Sequence, residues 1–571
     1  MKRFISYFTY TLGIALVVAQ PNSVMAAPVE VTLRNGNLLT SFYDMRYKGG
    51  LDPSIIRTYN SKSSYKGMFG WSWSSDFDTF LSTTAEGTVV IHEFGGGSDN
   101  RFSPLNFSQK DIAAGVDMIM EAAKKSRIGG SPSQVGAYRQ RLIDNATFRD
   151  DQWSRYIASG KLKPKEIPIG TQFKSVLFAY QYVTKVKDGY VRNFDTGRTE
   201  YYNEAGKIRR IEDKNNNYIN LTYGPDGHLQ KIIDQSNRKM FFQFNNIGLV
   251  SKIEGENSQE ATYEYTDLGE LKHTKDPAKN EYWFEYDKEG THDLTKIKYS
   301  DKTFYAVEYY GPDKKSNVKS LTERDGLKSV YDYEPIKGAG KNDLRVTVKI
   351  LESGKVASTS KYEYYFKYKA NGEEWTSRLL TELDGDKTDS YYNEKCGLPD
   401  SIIKGKEKTS FVYDAKCHVV QKQSPTELTK LEYDPSAGKV SYVAVYNLAK
   451  KGADGKPALL GWSRFKYDAK TNLTYAENSE KKKVALVYDL VGRIQSMVDQ
   501  AQHRIDFEYN EASKPVKITD PKLGSIIVEY TNSGDIKKVD SSAGKQVAGQ
   551  VTAAFQNLLE IVRPAGVTLA F

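Results

Sequence analysis

Aromatic positions recur along most of this chain at a fixed interval. Tyr202, Tyr223, Phe244, Tyr265 and Tyr286 stand 21 residues apart, and Gly206, Gly227, Gly248, Gly269 and Gly290 each follow four residues later. An apolar partner lies two residues before most anchors, at Leu221, Phe242, Tyr263 and Phe284. After several glycines come an apolar pair and an acid, as in Gly227-His-Leu-Gln-Lys-Ile-Ile-Asp234. Residues i and i+2 of an extended strand share a face, so each anchor and its partner predict one apolar strand face. The glycine, which takes positive φ without steric cost, predicts the chain reversal. One unit is thus a β-hairpin plus its connection. A lone hairpin cannot bury its aromatic face, so neighbouring units must stack into one continuing sheet.

The array continues with interruptions. Tyr309, Tyr333 and Tyr368 are more widely spaced; Tyr392, Tyr413 and Tyr433 resume the rhythm; Tyr467, Tyr488, Tyr509 and Tyr530 close it. Inserts such as Pro335–Asn342 and Lys450–Pro457 lengthen hairpins. Where the turn glycine is replaced, Asn472 and His418 are expected to take its place, both residue types tolerating positive φ.

Other segments break the period. Residues 27–102 read as short strands and turns, with Trp71 and Trp73 on one strand face and a turn at Gly95-Gly-Gly97. A cap over the first edge of the array is the expected role, since an open edge invites pairing with other chains. The two tryptophans also make this the weak ligand-binding candidate, as an aromatic platform for sugars. Residues 103–170 are a helical insertion, with Ile112, Val116, Ile119, Met120 and Ala123 at helical spacing, and packing on the cap, plugging a shell or binding a partner are all open to it. Residues 171–540 hold the repeats. In residues 541–571, Val551, Phe555, Leu558, Leu559 and Val562 predict an amphipathic helix ended by Pro564 and covering the last sheet edge. The predicted fold is mainly β: a spiralling array of stacked hairpins, forming a sheet or partial shell, with an N-terminal β cap, a helical insertion and a C-terminal helix.

Composition changes this picture little. With Tyr 40 against Trp 6 and Cys 2, the chain suits half-buried β surfaces whose hydroxyls reach water or a partner. The net charge of +9 is spread thinly and forms no basic stripe, which argues against nucleic acid as a partner. Residues 1–26 have the form of a signal peptide: Lys2 and Arg3, an apolar run from Leu12 to Ala19, then cleavage after Ala26 in preference to Ala27, which precedes Pro28. No second long apolar run follows, so no stable membrane span is expected after cleavage, and the product is periplasmic, surface-bound or secreted.

Asn35-Gly-Asn37, Arg57-Thr-Tyr-Asn60 and Gly67-Met-Phe-Gly-Trp-Ser-Trp73 resemble the N-terminal region of bacterial RHS/YD-repeat proteins. Asp213-Lys-Asn-Asn-Asn217 resembles the lead-in to their repeats, and Tyr488-Asp-Leu-Val-Gly-Arg493 is similar to their core motif. The resemblance implies a spiralling sheet that can close into a hollow shell, with toxin-complex subunits and teneurins as relatives. It also implies a C-terminal autocleavage segment and toxin, whose pattern the stretch after Tyr530 does not follow.

Candidate chemistry is sparse. Cys396 and Cys417 are 21 apart, each four residues after its anchor. An exported chain meets an oxidising compartment, yet equivalent turns two strands apart stand about 10 Å from each other, so a disulfide is left open. The six histidines show no metal-ligand spacing, Asp213–Asn217 lacks the glycine and closing glutamate of a calcium loop, and no Ser–His–Asp set carries a local motif. Neither metal nor cofactor is expected. The expected function is an exported, non-enzymatic repeat scaffold binding glycan or protein partners at a bacterial cell envelope or surface. The alternative is a shell component enclosing a separately encoded toxin or effector.

Overall fold

The computed structural model describes residues 29–47, 51–93, 98–126, 130–175, 181–288, 290–311, 316–368, 374–531, 536–541 and 546–551, with positions 553, 556 and 561. The proposed signal segment with Ala26 and Ala27, the Gly95–Gly97 turn, and Phe555, Leu558, Leu559 and Val562 lie outside these residues. The dominant feature is one long sheet of 36 antiparallel strands, from Phe80–Thr83 to Ile536–Ser541. Each strand pairs with its neighbours in sequence, as stacked hairpins demand.

The repeat works through three linked details. First, the residue after the anchor caps the turn. In Tyr488-Asp-Leu-Val-Gly-Arg493, Asp489 Oδ1 accepts the N–H groups of Val491 and Arg493 at 3.1 and 2.9 Å, while Oδ2 accepts Arg493 Nε at 2.6 Å. Gly492 then takes a left-handed φ of 84°. A Cβ there would also stand 2.1 Å from the Asn215 side chain, so glycine is required twice over. Second, the anchor sits at a β-bulge: register shifts occur at Tyr223, Phe244, Tyr265 and Tyr286, and again at Tyr467, Tyr488, Tyr509 and Tyr530. Third, the residue facing each bulge offers its carbonyl to the next anchor. Tyr223 donates to Ile208, Tyr265 to Val250, Tyr286 to Leu271, Tyr488 to Leu473 and Tyr530 to Pro515, at 2.6–2.9 Å. The hydroxyls expected to reach water therefore tie each unit to the one before it.

Where the turn glycine is missing, the left-handed residues are Thr471 and Cys417, with φ of 62° at both. Asn472 and His418, expected in that role, sit one position later. There they do what Arg493 does, holding the capping aspartate: His418 Nδ1 lies 3.0 Å from Asp414, and Asn472 Nδ2 3.0 Å from Asp468.

The sheet winds back on itself. Lys214 Nζ donates to the Thr471 carbonyl at 2.9 Å, Asn217 Nδ2 to Val491 at 3.1 Å and Ser236 Oγ to Glu511 at 2.6 Å. One circuit thus takes 257–275 residues. At the start, the Leu81 N–H donates to the Gly206 carbonyl at 2.8 Å, and a Cβ on Gly206 would lie 1.8 Å from the Leu81 oxygen.

The N-terminal piece is a four-stranded sheet built from Glu30–Thr32, Asn37–Arg46, Ser54–Asn60 and Trp73–Ser74. It does not cover the first edge, as expected; its core merges with that of the wall between Tyr190 and Val346. The expected 27–102 unit also ends early. Phe80–Thr83, Val89–Glu93 and Ser98–Pro104 are wall strands, and Phe173 pairs with Pro104 across the helical insertion. That insertion holds three helices: α1 (Gln109–Lys125), α2 (Pro132–Asp144) and α3 (Ala146–Ala158). They pack on the Thr83–Val89 hairpin through Trp153 Nε1, which donates to Thr83 at 3.0 Å, and through a buried Glu86–Arg149 pair at 3.0 Å. At the far end, Val547, Val551 and Ile561 are buried against Val440, Phe465 and Met497 on the inner face, not on the last sheet edge.

Candidate functional site: the uncovered inner wall

Two packed cores account for both ends of the wall. At the N-terminal end, Arg57 is fully buried and makes two bonds to Asp44, at 2.9 and 3.0 Å. Four rings surround its guanidinium: Phe42, Trp73, Tyr263 and Phe284, at 4.8–5.8 Å. Tyr263 OH also donates to Asp44, so the wall helps satisfy a charge carried by the cap. Tyr59 OH donates to the His292 carbonyl at 3.0 Å and accepts from the Leu294 N–H at 2.9 Å. At the other end, Ser463 Oγ donates to the Ile561 carbonyl at 2.5 Å.

Between these cores the covering stops. Among the described residues, no apolar side chain from position 347 to 430 is buried. The register shows which side chains this leaves open. Val346, buried in the first core, faces Tyr362; Tyr364 faces Leu379; Leu379 faces Ser390; Ser390 faces Ile402; Ile402 faces Thr409, with Phe411 two residues on. Side chains paired across an antiparallel ladder share a face. Tyr362, Tyr364, Leu379, Ile402 and Phe411 thus continue the packed inner face with only partial cover. Burial still pushes the Tyr364 and Tyr413 hydroxyls up to about 12, so both stay neutral donors. The opposite face carries ion pairs beside the exposed Tyr391 and Val412. Arg378 makes two bonds to Asp389 at 2.7 and 2.8 Å, lies over the rings of Tyr365 and Tyr391, and neighbours the Arg345–Glu363 pair.

Cys396 and Cys417 lie in this stretch and are joined by a disulfide, with Cα atoms 5.4 Å apart. The turns lean together because they are not equivalent: the one after Tyr392 is a residue longer, its left-handed residue being Gly397. The sequence rhythm hides that extra residue.

The tryptophan pair divides. Trp73 is fully buried among Phe42, Tyr59 and Phe284, and its Nε1 donates to Tyr286 OH at 2.7 Å. No sugar can reach it, because the aromatic face serves the cap core. Trp71 stacks on His292 at 4.6 Å and donates to Leu268 at 3.0 Å, again fixing cap to wall. Asp213 is occupied by its own turn, accepting from Asn215 and Asn217. The inner-wall residues were not singled out from sequence; the one signal that could have found them was the lengthened, off-period hairpins around Tyr333 and Tyr368. Among the described residues, no helix is long and apolar enough to cross a membrane.

A wall of tyrosine-linked hairpins that winds back on itself, packed at both ends by non-repeating pieces, defines a repeat-built β-shell. The chain belongs to the teneurin YD-shell family, whose model matches residues 187–547, and residues 28–100 match a domain of unknown function, DUF6531. No curated protein sequence matches it significantly. Among solved structures, it is similar to TcdB2-TccC3-TEV at 11% identity, covering 92% of this chain and 29% of that one, with a TM-score of 0.42. It is also similar to the Photorhabdus luminescens Tc holotoxin pore with TccC3-D651A, at 12% identity over 91% of this chain and 36% of that one, TM-score 0.25. The chain spans about a third of the length of these neighbours.

Proposed function

We propose that this protein is an exported shell scaffold that holds a protein partner against its uncovered inner wall. The observation that carries the reading is the gap in cover between positions 347 and 430, where an apolar and hydroxyl-rich face continues two buried cores with only partial burial of its own. A contiguous apolar face left only partly covered is a candidate interaction site. A polypeptide partner with apolar side chains matches Leu379, Ile402 and Phe411, while the tyrosine hydroxyls offer hydrogen bonds to its backbone. A separately encoded effector enclosed by the shell is one such partner. Glycan is less favoured, because Trp73 belongs to the cap core.

The test is co-purification of the mature protein from its native cells, with identification of what accompanies it, repeated with Ile402→Asp and Phe411→Asp. A companion lost from both variants, with their melting unchanged, supports the reading. A glycan array that gives the binding signal, or a companion held equally by both variants, refutes it.

A further inference from the structure

Three side chains that no local motif connects in the sequence meet on the first wall hairpin. Ser82 Oγ lies 2.8 Å from His92 Nε2, and His92 Nδ1 lies 2.7 Å from Asp99 Oδ1. The register brings them together. Phe80 faces His92, Ser82 stands two residues beyond Phe80 on the same side, and His92 faces Asp99 on the third strand. Leu81 and Ile91, on the other side, are buried in the core, so the three polar groups stand on the outer face. Phe80 stacks on the imidazole at 4.4 Å with 24° between the planes, fixing the ring. With Asp99 as the acceptor for Nδ1–H, Nε2 is the ring nitrogen that faces the serine hydroxyl.

The serine opens on usable space. Ser82 lines a groove of about 690 Å³ between the wall and α3, together with Trp153, Ile157, Ile167 and Lys185. Lys185 is held there by Glu204 at 2.6 Å. The lining offers an apolar seat for an acyl chain beside Ser82, with His92 and Asp99 behind it as base and orienting group, three of the roles of an acyl-transfer site.

We propose that Ser82, His92 and Asp99 act as a nucleophilic triad that hydrolyses carboxylic esters bound in this groove. Ser82 Oγ attacks the ester carbonyl carbon as its proton passes to His92 Nε2. The bond to the alcohol oxygen breaks, and that oxygen takes the proton from Nε2, leaving an acyl ester on Ser82. Water then attacks the same carbon and gives its proton to Nε2; Ser82 leaves with that proton, and the carboxylic acid is released. Asp99 holds the ring throughout.

The triad is distant in the chain from the inner-wall residues 347–430, so the two activities can be tested separately. The test treats the full mature protein with a fluorophosphonate probe, maps the labelled peptide, and follows hydrolysis of p-nitrophenyl butyrate. The variants are Ser82→Ala, His92→Ala and Asp99→Asn, each checked by thermal melting. The wild type should be labelled at Ser82, and His92→Ala should lose labelling although its serine remains. Hydrolysis should fall about 100-fold or more in both alanine variants, the scale of a positioned general base. Absence of label at Ser82 in the wild type, labelling undiminished in His92→Ala, or hydrolysis by Ser82→Ala at the wild-type rate each overturns the proposal.

Discussion

The Tyr509 hydroxyl donates to the Ile494 carbonyl at 2.7 Å, and Ile494 is the residue that faces Tyr488 across its bulge. Each anchor thus serves the irregularity created by the anchor before it. A bulge disrupts the local ladder, and the next tyrosine supplies a donor there. Burial pushes the Tyr509 hydroxyl up to about 12, which keeps the donor protonated well into alkaline solution.

Replacing Tyr509 by Phe should therefore destabilise the shell by about 1 kcal/mol, the net worth of one such bond. The reverse change is the sharper test. Phe244 is the anchor without a hydroxyl, and Leu229, facing the Tyr223 bulge, is the carbonyl it would serve. Phe244→Tyr should raise stability by ~0.5–1 kcal/mol, read as a higher urea midpoint at unchanged slope.

The Arg57–Asp44 pair makes the cap dependent on the wall. Arg57→Met leaves a buried carboxylate with the Tyr263 hydroxyl as its one remaining side-chain donor among the described residues, and should cost about 3–5 kcal/mol. The double variant Arg57→Met, Asp44→Leu should recover part of that loss, since no charge then remains unpaired. Denaturant unfolding followed by tryptophan fluorescence checks both, because Trp73 lies 4.8 Å from the guanidinium.

The Cys396–Cys417 bridge spans 21 residues in the stretch of wall that has no packed interior. Tethering a loop of that size removes chain entropy worth about 3 kcal/mol from the unfolded state. Cys396→Ser with Cys417→Ser should lower the melting temperature. Limited proteolysis should then cut first between positions 347 and 430, while the two cored ends stay intact.

Much of the fold was legible because the wall is built from local rules. Anchor, capping acid and glycine lie within five residues of one another, so the hairpins follow from spacing alone. The winding back was not legible, since it rests on contacts such as Lys214 with Thr471, 257 residues apart. The cap was placed on the wrong surface for the same reason: Tyr59, Trp71 and Trp73 find their partners at His292, Leu268 and Tyr286, 197–233 residues away. The left-handed residues Cys417 and Thr471 show a third limit. Turn geometry counted from the capping aspartate overrides the residue preference that favoured His418 and Asn472.

Acid and base act on the cap junction in a direction that can be worked out. Asp78 is buried, and burial pushes its carboxyl up to about 7, although the Ser75 and Met68 N–H groups, at 2.8 and 3.2 Å, pull the other way. Burial likewise raises Asp76 and Asp293 to about 6. A carboxyl whose folded value lies above its unfolded one binds its proton more tightly in the folded state. Its contribution to stability is full below the unfolded value, near 4, and is lost as pH rises through 6 to 7. Glu86 works oppositely: burial pushes it up, but the Arg149 bond and the Arg101 charge outweigh this and hold it below its ordinary value. Its contribution is lost as pH falls. Between pH 5 and pH 8 the aspartates govern, so the urea midpoint of the wild type should decline over that range. Asp78→Asn cannot ionise, and its midpoint should decline less, leaving the variant better off relative to wild type at pH 8 than at pH 5 by on the order of 1 kcal/mol. Parallel pH profiles for the two proteins would remove Asp78 from this account.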